Sequence, residues 1–163
     1  MTSTPKLSTT LWFDKDAEAA AQHYTKAIPG SEILGIEHYG KAGPMPEGSV
    51  MLVRFRLGGQ EFIALNGGPL FTPNEAVSFV IYCDDQAEVD RLWSHMSEGG
   101  KTSQCGWLKD RWGFAWQIVP RRFIELMTSA TSAEAKARVF GAMMQMTKFE
   151  IAKLEQAAQA ESA

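Results

Sequence analysis

Apolar and polar residues alternate from Leu7 to Phe13. Thr9, Leu11 and Phe13 fall on one face and Ser8, Thr10 and Trp12 on the other, the period-2 signature of a strand. The period then changes. Ala17 to Ile28 is rich in alanine, the best helix former, and sets Ala20, Tyr24 and Ile28 on one stripe. Asp14 or Asp16 is the expected start of this helix, because a carboxylate accepts the orphan amides of a first turn; Pro29-Gly30 is the expected stop. Ser31 to Tyr39 predicts a second strand, and Gly40 to Gly48 is too polar and too broken by Gly and Pro to be an element. Ser49 to Leu57 alternates again, Gly58-Gly59 signals a hairpin, and Gln60 to Asn66 returns as its partner strand.

After the loop Gly67 to Pro73 the same grammar is written a second time. Ala76 to Cys83 predicts a strand with Phe79 and Ile81 on one face and Ser78, Val80 and Tyr82 on the other. Asp84-Asp85 opens a helix with Val89, Leu92, Trp93 and Met96 on its apolar stripe, and Gly99-Gly100 closes it. A strand from about Thr102 to Leu108 follows. Asp110-Arg111-Trp112-Gly113 then reads as a tight connection between antiparallel strands, with Asp110-Arg111 an exposed turn pair. Phe114, Trp116 and Ile118 alternate with Ala115, Gln117 and Val119, and Pro120, which cannot donate a ladder hydrogen bond, ends the strand. At an offset of 70, Leu11-Trp12-Phe13-Asp14 lies over Ile81-Tyr82-Cys83-Asp84, and Pro29-Gly30 over Gly99-Gly100. The later hairpins align at a shorter spacing because the first half holds the Gly40–Gly48 loop. The chain is therefore expected to be α+β, with two βαβββ modules.

The tail is expected to be helical. Thr131 with Glu134, and Thr147 with Glu150, have the spacing of a capping box. Val139, Ala142, Met143 and Met146 form a stripe read as core or dimer packing, and Phe149, Ile151 and Leu154 continue the apolar content.

Bulk properties narrow the functional classes. A formal net charge of −3 with no basic stripe argues against nucleic acid as a partner. No apolar run approaches the roughly 20 residues of a membrane span, and Met1 to Thr10 lacks a signal-peptide core, so a cytoplasmic protein is expected. Cys83 and Cys105 lack C-x-x-C spacing and read as reduced, partly buried thiols.

Six segments carry a resemblance: Leu11-Trp-Phe-Asp, Leu65-Asn-Gly-Gly-Pro, Ser78-Phe-Val, Val89-Asp-Arg-Leu-Trp, Cys105-Gly-Trp-Leu-Lys-Asp-Arg and Trp116-Gln-Ile-Val-Pro. In register, they resemble the PhnB-like family of the vicinal oxygen chelate superfamily, which includes glyoxalase I, bleomycin-resistance proteins and extradiol dioxygenases. The resemblance implies paired βαβββ modules whose mixed sheets curl around a cavity, usually completed in a homodimer. It places one glyoxalase/bleomycin-resistance-like domain at residues 1–130 (modules 1–68 and 74–120) and a helical extension at 131–163. Many members are labelled 3-demethylubiquinone 3-methyltransferase. Methyl transfer from S-adenosylmethionine ordinarily needs a Gly-rich strand-to-helix turn. Here Gly58-Gly59 and Gly67-Gly68 bracket a hairpin arm instead, so that activity is not expected.

The resemblance also implies metal ligands on the first and last strand of each module. Those positions fall near Ser8 and Ser78, and at Ile63 or Ala64 and Gln117. One neutral amide and two hydroxyls are weak ligands, and His23, His38 and His95 share no face with Gln117, so neither metal nor cofactor is expected. The expectation is a small-molecule pocket lined by Thr10, Trp12, Asn66, Ser78, Tyr82, Trp107 and Gln117, aromatic walls with a few polar groups. Two functions follow: a metal-independent small-molecule binder, or an enzyme of the superfamily with an atypical metal site.

Overall fold

The computed structural model describes residues 5–129 and 132–160. The chain divides into two compact units, residues 1–73 and 74–163. In the first, β1 (Thr9–Phe13), α1 (Ala17–Ala27), β2 (Glu32–His38), β3 (Val50–Leu57) and β4 (Gln60–Asn66) follow one another, and the sheet order is β1-β4-β3-β2. In the second, β5 (Ser78–Cys83), α2 (Gln86–Ser97), β6 (Lys101–Thr102), β7 (Trp107–Lys109) and β8 (Ala115–Pro120) give the order β5-β8-β7-β6. Each unit pairs its first strand parallel to its last and the remaining strands antiparallel. The duplicated grammar of the sequence is thus a duplicated topology, α+β with two four-stranded mixed sheets.

Each module's helix covers one face of its own sheet. Leu11, Phe13, Val53, Phe55, Phe62 and Ala64 are buried with Ala20, Ala21 and Tyr24 of α1. Ile81, Leu108, Trp116 and Ile118 are buried with Val89, Leu92 and Met96 of α2. Burying each large side chain contributes about 1.5–3 kcal/mol, so these faces hold the units together.

Three local expectations need correction. The Asp16 side chain makes no capping bond at α1. Asn66, from the far end of β4, accepts from the Ala17 amide at 2.9 Å and donates to the Val50 carbonyl at 3.0 Å. A partner 49 residues away in sequence does the work expected of a local carboxylate. The strand expected over 102–108 is two strands, β6 and β7, folded on each other with Lys101 opposite Lys109. Cys105 (φ 57°) and Gly106 (φ 80°) make the reversal, a left-handed pair that a continuous strand could not contain. Residues 121–128 form a further helix, α3 (Arg121–Thr128), which strand alternation does not foretell.

The tail continues as α4 (Ala133–Met144) and α5 (Ile151–Gln159). Thr131 lies outside the described residues; Ser132 caps α4, accepting from the Ala135 amide at 3.1 Å. Thr147 and Glu150 form no capping box, because Glu150 itself is the N-cap and its side chain makes no capping bond. The Ile151 amide is taken instead by Gln86 Oε1 at 2.8 Å. Val139, Met143, Met146, Phe149 and Leu154 are all buried, so the Met-rich stripe is core.

Cys83 and Cys105 are free thiols. Burial pushes Cys83 up to about 12, with Glu88 adding to the rise. The unfolded chain ionises this thiol from about pH 8.5 upward. Stability is therefore complete below that pH and is lost as pH rises toward the folded value. Between about pH 9 and 12 the chain should lose up to about 1.4 kcal/mol per pH unit relative to Cys83→Ala. Urea midpoints of the two proteins across that range check this, and parallel pH profiles would refute it.

Candidate functional site

Strand β8 has two working faces. Trp116 and Ile118 point toward α2 and are fully buried, while Gln117 and Val119 point to the other side. Asp110 sets this strand's start. It is 3% exposed, and its Oδ1 accepts from the amides of Trp112 (2.9 Å) and Phe114 (3.0 Å). Its Oδ2 accepts from Trp116 Nε1 at 2.9 Å. The expected exposed turn pair is therefore split: Asp110 is an internal anchor, whereas Arg111 lies outside, 5.3 Å from the Trp112 ring and bridged to Glu98.

On the face away from α2 lies an open hollow of about 210 Å³. The sheet side supplies Val80, Tyr82, Cys105, Trp107, Gln117 and Val119. The helical tail supplies Phe123, Ile124, Met143 and Phe149. Register explains the sheet wall, since Gln117 stands directly between Val80 on β5 and Trp107 on β7. Gln117 Nε2 donates to Ser78 Oγ at 2.8 Å. That leaves Oε1 as an acceptor to which no described residue donates. None of the ten lining residues carries a formal charge. Charge stands only at the rim, where Arg121 lies 5.5 Å from the Tyr82 ring with its Nε 2.9 Å from Asp84 Oδ1.

Of the seven residues expected to share a pocket, Tyr82, Trp107 and Gln117 line this hollow, and Ser78 holds Gln117 in place. Thr10, Trp12 and Asn66 belong to the first unit. Thr10 is exposed on the β1 face away from α1. Trp12 is pinned by its Nε1 bond to the Gly68 carbonyl (2.8 Å) and an edge contact with Phe71. Any side chain at Gly67 would collide with that indole. Asn66 is on the opposite face, spent on the start of α1. Sequence reasoning missed the four residues from the tail; the helical spacing of Phe123, Leu126 and Met127 after Pro120 was the available signal.

The metal positions can now be fixed. Thr10 pairs with Ile63 as Val80 pairs with Gln117, so Ile63, not Ala64, is the counterpart of Gln117. An isoleucine offers no donor, and Ser78 and Gln117 are bonded to each other. Among the described residues no three His, Cys, Asp or Glu side chains gather where they could hold a metal ion. This donor set does not fit a divalent cation.

A family model described as 3-demethylubiquinone-9 3-methyltransferase matches residues 5–119. The PhnB protein of Bacillus cereus, described under the same activity, is 32% identical, with a TM-score of 0.64 over 71% of this chain and 99% of that one. The chain belongs to the PhnB-like family. Each of the two units carries its own β-α-β-β-β order, as expected for that family. Protein PA1353 from Pseudomonas aeruginosa shares the fold at 21% identity, with a TM-score of 0.59 over 72% of this chain and 98% of that one. No protein of curated function matches. In this PhnB-like chain the family match ends at Val119, just before the helices that complete the hollow.

Proposed function

We propose that this PhnB-like chain is a metal-independent small-molecule-binding protein whose ligand rests on Gln117. The observation that carries the reading is a single amide carbonyl, held in position by Ser78, among aromatic and aliphatic walls without charge. Fixed polar groups in an apolar concavity are the normal makings of a ligand site. Methyl transfer is not part of the reading. The strand-to-helix turns hold Asp14-Lys15-Asp16 and Asp84-Asp85, not the Gly-rich turn that S-adenosylmethionine ordinarily needs for close backbone approach.

Gln117→Leu tests the site. The amide bonds a side-chain hydroxyl rather than backbone, so the change should lower stability by less than about 1 kcal/mol. Affinity for a ligand donating to Oε1 should fall by roughly 1–3 kcal/mol. A melting curve and a titration with a neutral N–H aromatic such as indole separate the effects. A drop in melting temperature beyond about 8 °C would make Gln117 part of the scaffold.

The same reading includes a homodimer in the cytoplasm. Val77, Phe140 and Met144 leave apolar surface exposed in the second unit outside the hollow, which a second copy would cover. No helix among the described residues is long and apolar enough to cross a membrane. Light scattering at micromolar concentration should return twice the chain mass; a single chain mass would end the dimer part of the reading.

A further inference from the structure

We infer that the helical tail after Val119 is the specificity wall of the hollow, selecting small neutral ring compounds that carry one hydrogen-bond donor. This rests on the ligand-binding reading above and deepens it. The sheet wall lies within the family match, which ends at Val119, whereas Phe123, Ile124, Met143 and Phe149 lie beyond it. The family's βαβββ frame therefore supplies the polar anchor, and this chain's own extension supplies the opposite wall.

The wall is fixed. The Cys105 and Gly106 amides donate to the Met146 and Thr147 carbonyls, both at 2.8 Å. Gln86 holds both sides of the α5 start, donating to the Phe149 carbonyl at 2.9 Å and accepting from the Ile151 amide at 2.8 Å. Phe149 is 2% exposed and packs on Phe123 with ring centroids 5.1 Å apart. Lys148 Nζ lies 2.6 Å from Asp90 Oδ1, tying the same segment to α2. A wall pinned at this many points presents one shape to a ligand instead of closing over whatever enters.

The chemistry of the ligand follows from what the hollow offers. Rings are favoured by Tyr82, Trp107, Phe123 and Phe149. A donor on the ring is called for because Gln117 Oε1 accepts from no described residue, while one of the two Nε2 hydrogens is already given to Ser78. A net charge is disfavoured because no lining side chain would balance it. Size is limited by the tail, and Ile124 is the place to change it: at 38% exposure it lines the hollow without supporting the core.

The test uses three probes with the full chain: indole, 1-methylindole, which lacks the donor, and carbazole, a larger ring system with the same N–H. Side-chain N–H resonances of Trp107 and Gln117 report binding at the hollow. Indole should shift both, 1-methylindole should bind about tenfold more weakly, and carbazole should bind wild type poorly. Ile124→Ala should raise the carbazole-to-indole affinity ratio by about tenfold, the discrimination that a methylene or two supply in an apolar pocket. Ile124→Trp should abolish carbazole binding. If indole binds and Gln117→Leu weakens it while both Ile124 variants keep the wild-type ratio, the specificity wall is refuted and the ligand site stands. Equal or tighter binding of 1-methylindole refutes the donor requirement. If no probe moves either resonance in wild type, the ligand-binding reading fails and this inference with it.

Discussion

Asp110→Ala is expected to destabilise the second unit by about 2–4 kcal/mol, since hydrogen bonds to a charged group contribute about 1.5–3 kcal/mol each and the donors left behind are neutral. The carboxylate is 3% exposed and accepts from two backbone amides and the Trp116 indole. Its loss strands the buried Trp116 indole N–H and removes the acceptor of two half-buried amides. The damage should reach the hollow, because the turn from Asp110 to Gly113 sets where β8 begins and hence which face Gln117 takes. Asp110→Asn separates charge from geometry. It keeps one acceptor oxygen but turns an NH₂ group toward one of the donors, so it should lose a substantial part of the same stability. Urea unfolding followed by tryptophan fluorescence gives both numbers. A loss below about 1 kcal/mol for Asp110→Ala would mean that the turn holds by its backbone bonds alone.

The second large effect is expected at Gly106. Its φ of 80° already disfavours a side chain. An added methyl would sit 2.5 Å from Phe149 Cε2 and 2.9 Å from the Ile118 carbonyl oxygen. The backbone cannot step aside, since the Gly106 amide donates to Thr147 and its carbonyl accepts from the Ile118 amide, both at 2.8 Å. Overpacking and left-handed strain together should make Gly106→Ala cost about 2–4 kcal/mol. Relief should come by detaching the tail rather than by opening the sheet. Hydrogen exchange checks this: the Cys105, Gly106 and Ile151 amides should lose protection first, with β5 and β8 following only at global unfolding. Uniform loss of protection would contradict the tail's role as a separately anchored wall.

These two residues also show what could be read from the chain alone. The alternation across Phe114 to Val119 puts Gln117 on the face opposite Trp116 and Ile118, and the offset of 70 gives both modules the same succession of elements, because period and repeat are local properties of sequence. Asp110 looks like an exposed turn residue in sequence because its burial is decided by what folds over it, including an indole six residues later. Asn66 illustrates the same limit: its partner, Ala17, is near only after β1 and β4 pair. The β6–β7 reversal was concealed by the side chains of Thr102 to Leu108, which allow a continuous strand; only the left-handed backbone at Cys105 and Gly106 divides it. The tail was legible as helix and as core, yet its place against Val80 and Gln117 depends on the packing of Phe149 over Gly106, which no periodicity encodes.

Metal independence of the ligand site is the central claim, and one measurement addresses it most directly. Protein stripped with EDTA is titrated with indole while the Trp107 and Gln117 side-chain N–H signals are followed, then titrated again with one equivalent of manganese, nickel or zinc present. The account predicts the same affinity in every titration and a melting temperature that the metals leave within about 1 °C, since an ion bound to the folded state alone would raise it. Indole binding that is absent from the stripped protein and restored by one equivalent of metal would contradict it.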